Sequence, residues 1–156
     1  MRIRTQHLLL TVVGLVLVPL GRPAVGVTKT PFTYTMSSFT NVSPGTVWVA
    51  ANTLHIRGEM DVAIVTGDLT GTISLVVNTD LNVANPVGGF AGNSYRGTFT
   101  LTTATVTWVG TFTDCGLPGR GANNLEGHGT DGSTILGKIY GQADGTIEVQ
   151  GIIIAP

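Results

Sequence analysis

Four ionisable side chains stand at alternate positions of one short segment: His55, Arg57, Glu59 and Asp61. Spacing by two puts them on one face of a β-strand, because side chains alternate across it. Lining a cavity, such a row supplies an acid or base in Glu59 and an anion holder in Arg57. Leu54, Ile56, Gly58, Met60, Val62 and Ile64 take the other face. Inside–outside logic gives that apolar set the core and leaves the charged row as a solvated outer face. Where Glu59 points decides between the two, and Glu59 is the one catalytic candidate.

The other constellations carry less chemistry. Glu126 and His128 share a strand face, but a third metal ligand such as Asp131 has to come from across a turn. No HExxH or cysteine pair supports it, so no metal site is assigned. Gly127–Gly132 matches GxGxxG, yet a dinucleotide site needs a helix next, and an apolar strand containing Ile135, Leu136 and Ile139 follows. GxSxG is absent, and Ser133 reads as a turn residue. Cys115, the single cysteine, follows Asp114, whose negative charge raises a thiol pKa. No motif calls for a cofactor. Tyr34, Trp48, Trp108 and Phe112 are the candidates to line an apolar ligand pocket, although aromatic residues in an all-β core need no ligand to explain them.

The elements that would position these groups are strands. The chain of 156 residues is 42% hydrophobic and 11% charged, with 22 glycines punctuating segments rich in Thr, Val and Ile. β-Branched residues suit a pleated, half-buried surface, and no window outside the N-terminus has helical spacing. Asp131-Gly132 and Asp144-Gly145, each between alternating segments, predict tight hairpins over residues 124–154. Strands are predicted at 32–36, 46–51, 54–66, 70–78, 94–104 and 105–113, with Phe99, Leu101, Val106, Trp108 and Phe112 in the core. Asn41–Gly45 reads as a turn, and residues 79–93 and 114–123 as loops, the first about 15 residues long. Eight or nine strands predict one antiparallel β-barrel in a meander, with a β-sandwich as the alternative.

Residues 1–26 read as a signal peptide: Arg2 and Arg4, an apolar run from Leu8 to Leu20, then Ala24-Val25-Gly26. The apolar run of about 13 residues is short for a membrane anchor. The expected mature chain, 27–156, loses three of the eight basic residues and none of the nine acidic ones, so its formal charge is −4. With no basic stripe, nucleic acid and anionic membrane surfaces are poor partners. Export without a disulfide pair points to a secreted or periplasmic bacterial protein.

GDLTGT at 67–72, RGTFTL at 96–101, GTF at 110–112 and GHGTDGSTILGKIYG at 127–141 resemble the allene-oxide-cyclase-like barrels. That group comprises plant allene oxide cyclases, dirigent proteins and small bacterial relatives. The resemblance spans residues 55–142 and rests on glycines. It implies an eight-stranded barrel with an apolar interior, often dimeric or trimeric, in some members guiding cyclisation of a hydrophobic substrate. No catalytic residue of those enzymes matches a position in this sequence. The expected function is a secreted barrel that binds a small apolar ligand or acts as an interaction module. An isomerase or cyclase of the barrel type is the second expectation, and a structural exported protein the third.

Overall fold

The structure is a computed structural model that describes residues 26–83, 93–114 and 124–156. The expected leader up to Val25, residues 84–92 of the first predicted loop and residues 115–123 of the second, Cys115 included, lie outside the described residues. Among the described residues there are nine strands and no helix: β1 (Thr28–Ser43), β2 (Thr46–Ala50), β3 (Thr53–Gly67), β4 (Gly71–Asn82), β5 (Ser94–Thr103), β6 (Thr107–Asp114), β7 (Asn124–Gly129), β8 (Thr134–Gly141) and β9 (Ile147–Ala155). Each strand pairs antiparallel with the next, apart from β1 with β2. β1 pairs with β9 through Thr28–Met36 and with β3 through Tyr34–Ser43. That double pairing closes an eight-stranded barrel, as expected, and sets aside the sandwich. Closure removes the unpaired edges that an open sheet of Thr- and Val-rich strands would expose.

The two Asp-Gly hairpins form where the sequence places them. Gly132 and Gly145 take φ of +83° and +85°, the left-handed values such turns demand. β2 is the extra strand outside the ring. It pairs only with β3, across a tight turn in which Ala51 and Asn52 both have positive φ. β3 and the end of β4 run beyond the rim with it, Thr53–Ile56 pairing with Thr79–Asn82. The segment predicted as a loop from Thr79 is therefore strand up to Asn82, and the turn predicted at Asn41–Gly45 shrinks to Pro44-Gly45.

Inward positions alternate between bulky and absent side chains, which lets a narrow barrel fill its interior. The Phe99 ring lies over Gly127, where an added Cβ would come within 2.7 Å of it; Phe32 covers Gly151 in the same way, at 2.8 Å. Phe99, Leu101, Trp108 and Phe112 are buried as expected, with Tyr34, Ile73, Ile135 and Val149. At one end, called the base here, Trp108 fills the interior. Its Nε1 donates to Ser133 Oγ at 2.9 Å, and Ser133 Oγ donates to Asp131 Oδ1 at 2.6 Å. The other end, the mouth, keeps open space among the described residues.

Candidate functional site

The geometry of the mouth is set by two irregularities in β3 and β1. β4 alternates cleanly, with Ile73, Leu75, Val77 and Thr79 buried. Residues opposite one another across an antiparallel pair share a face. Glu59 pairs with Val77, Asp61 with Leu75 and Ala63 with Ile73, so all three face inward. Met60 and Ile64 are instead 44% and 49% exposed, against 1% for Ala63 and 0% for Val65. This corrects the expected strand phase: from residue 59 onward the odd positions, not the even ones, own the interior.

The phase changes at a β-bulge. Ile56 pairs with Thr79 and Glu59 with Val77, so Arg57 and Gly58 together oppose Asn78. Gly58 takes φ of +70°, a conformation costly for any residue with a Cβ, and its N–H donates to Asn78 Oδ1 at 3.1 Å. The bulge splits the charged row into two pairs. Leu54 and Ile56 keep the inward face, as expected, while His55 and Arg57 stay outside and Glu59 and Asp61 turn inside.

The outer pair is compensated. Arg57 Nη2 and His55 Nδ1 both reach Asp80 Oδ1, at 2.5 and 2.6 Å. Hydrogen bonds from Arg57 first and His55 second hold the Asp80 carboxyl below the usual carboxylate range. Trp48 stacks on His55 at 5.1 Å, and the Arg57 guanidinium lies 5.4 Å from the Trp48 ring centroid.

Among the described residues the inner pair has no cationic partner. Asn41, brought inward by a bulge in β1 at Ser38 and Phe39, donates from one Nδ2 to Glu59 Oε1 at 3.1 Å and to Asp61 Oδ1 at 3.0 Å. Partial burial, followed by the neighbouring charge of Asp61, raises the Glu59 pKa above its ordinary value. The two carboxylates stand on the wall of a cavity of about 370 Å³ at the mouth. Met36, Phe39, Ile73, Leu75, Val77, Phe112, Leu125, Ile139 and Ile147 supply its apolar surface, and Thr79, Tyr95, Gln142 and Thr146 its neutral polar groups. No lysine, arginine or histidine lines it among the described residues.

Of the residues singled out in the sequence as catalytic or ligand-binding candidates, Glu59 and Phe112 meet at this cavity, with Asp61 of the charged row beside them. Tyr34 is packed in the core, stacked with Phe32, and its buried hydroxyl has no hydrogen-bond partner among the described residues. Burial pushes that hydroxyl above the ordinary tyrosine pKa. Trp108 sits at the base and Trp48 on the outside, 43% exposed, so neither lines the cavity. Glu126 and His128 lie on β7, and Asp131 Oδ1 is engaged by Ser133 N and Oγ. Among the described residues no three metal-ligating side chains come together. No family model, curated protein or solved structure matches this chain. The site therefore has to be read from its own chemistry.

Sequence reasoning named Asp61 in the charged row but gave it no role, and it missed Asn41. Gly58 was the available signal, since a lone glycine inside a strand pattern marks a bulge.

Proposed function

We propose that this barrel binds a small, mainly apolar molecule in the cavity at its mouth, and that it does so outside the cytoplasm, given the signal-like residues 1–26. One observation carries the binding reading. A closed barrel of this size can fill itself with side chains, yet among the described residues an apolar space of about 370 Å³ remains open beside two half-buried carboxylates. Its volume and its apolar lining with a few convergent polar groups are those of small-molecule sites. The test is saturable binding of an uncharged fluorescent probe, N-phenyl-1-naphthylamine, to the protein and to Leu75→Trp. Leu75 lines the cavity, and a bulkier side chain there is expected to abolish saturable binding. Undiminished binding to a folded Leu75→Trp protein would place the probe elsewhere and refute the reading.

A second reading, acid–base catalysis on the bound molecule, is favoured by the position of Glu59. A carboxyl group held above its usual pKa at the edge of an apolar cavity is suited to donating a proton. It accords with the isomerase or cyclase expectation drawn from the resemblance to allene-oxide-cyclase-like barrels. On this reading Glu59→Gln keeps the ligand and loses turnover; turnover surviving in that variant removes Glu59 from the chemistry.

A further inference from the structure

The cavity has a sign as well as a shape. On the outer face of β3 and β4, Asp80 is matched by Arg57 and His55. Glu59 and Asp61 share one neutral amide, from Asn41. An ionised carboxylate offers about four acceptor sites, so among the described residues that amide leaves most of them free. These acceptors stand against apolar walls, where a carboxylate without a counter-charge is costly and a cation is attracted more strongly than in water. We propose that the ligand is a cationic amphiphile: a protonated amine on an apolar body, the ammonium seated at Glu59 and Asp61 and the body against Leu75, Val77 and Phe112. The inference rests on the cavity being a binding site. An ammonium brings several N–H donors to the free acceptors, an alcohol brings one, and a fatty carboxylate brings none and adds repulsion.

The experiment is displacement of N-phenyl-1-naphthylamine from the full chain at pH 7 by decylammonium, decanol and decanoate, which share one apolar body. Decylammonium is expected to displace the probe at roughly tenfold lower concentration than decanol, the factor that hydrogen bonds to charged groups supply, with decanoate weakest. In the Glu59→Gln/Asp61→Asn double variant that advantage disappears. Equal displacement by decylammonium and decanol from a cavity that still holds the probe overturns the cationic head group and leaves the binding reading standing. An advantage that survives the double variant overturns the seat at Glu59 and Asp61. A chain that never takes up the probe overturns both readings together.

Discussion

At the base of the barrel Trp108 spans the interior and lays its indole across Gly129, and the indole N–H, the Ser133 hydroxyl and the Asp131 carboxylate complete one another's hydrogen bonds. At the mouth, Phe112, Leu125 and Ile139 surround open space, and Glu59 and Asp61 crowd onto a single amide. At the base the Trp108, Ser133 and Asp131 side chains satisfy one another and the volume is filled; the mouth keeps a cavity and two like charges side by side. Filled, satisfied interiors contribute stability, whereas unfilled volume and crowded charge cost it. The fold's stability and its chemistry are thus separated along the barrel axis, and substitutions at the two ends should move different observables.

The largest contrast comes from truncating the base. Trp108 is 3% exposed, and Trp108→Ala removes a fully packed indole and strands the Ser133 hydroxyl. A loss of about 3–5 kcal/mol is expected, as for other large aromatic truncations. Urea denaturation measures it. Under conditions where the variant stays folded, its affinity for the uncharged probe should match that of the parent, because Trp108 does not line the cavity. A small stability loss, or a large affinity loss without unfolding, would contradict the separation of the two ends.

A smaller effect, but one that couples the ends' properties, is expected at Gly58. Its φ of +70° costs an L-residue roughly 1–2 kcal/mol, and a Cβ there meets nothing within 4 Å, so Gly58→Ala tests the backbone alone. Gly141 offers the same open space without the positive φ, and Gly141→Ala is the stability control. Gly58→Ala should also weaken probe binding, since the bulge is what turns Glu59 and Asp61 inward. A variant as stable as Gly141→Ala would show that the bulge survives without glycine.

That bulge also explains how much could be read from the sequence. The barrel, the hairpins at Asp131-Gly132 and Asp144-Gly145, and the buried Phe99, Leu101 and Trp108 were legible because each depends on a local signal: turn chemistry or alternation within one strand. The phase of β3 was not, because it depends on a partner. Alternation taken across Gly58 assigns Met60 and Ile64 to the core; the pairing with β4, whose Ile73, Leu75 and Val77 have to be inside, assigns Asp61 and Ala63. Asn41 was hidden for the same reason. It reads as a turn former beside Pro44-Gly45, and only the pairing of β1 with β3 places it opposite Asp61. Half of the site was therefore named and the other half displaced, by a single extra residue.

The smallest effect is a pH dependence, and its sign distinguishes the ends. Glu59 has its pKa raised in the folded chain, so between the ordinary glutamate value and that raised value the folded state binds the extra proton. Stability from this group is present at the acid side of the window and falls as pH rises through it. Asp131 at the base has its carboxyl lowered, chiefly by the Ser133 hydroxyl, so its contribution is present above the ordinary aspartate value and is lost as pH falls. Glu59→Gln keeps an acceptor for Asn41 but cannot ionise. Relative to the parent it should gain stability as pH rises from about 4 to 7, by a few tenths of a kcal/mol because water screens a half-exposed group. Asp131→Asn should lose stability relative to the parent as pH rises over the same carboxylate range and fall least short of it in acid. Denaturant midpoints for the three proteins across that range measure both trends. If Glu59→Gln and Asp131→Asn diverge from the parent in the same direction, the two ends do not differ in electrostatic design, and the crowding at Glu59 and Asp61 is relieved by solvent.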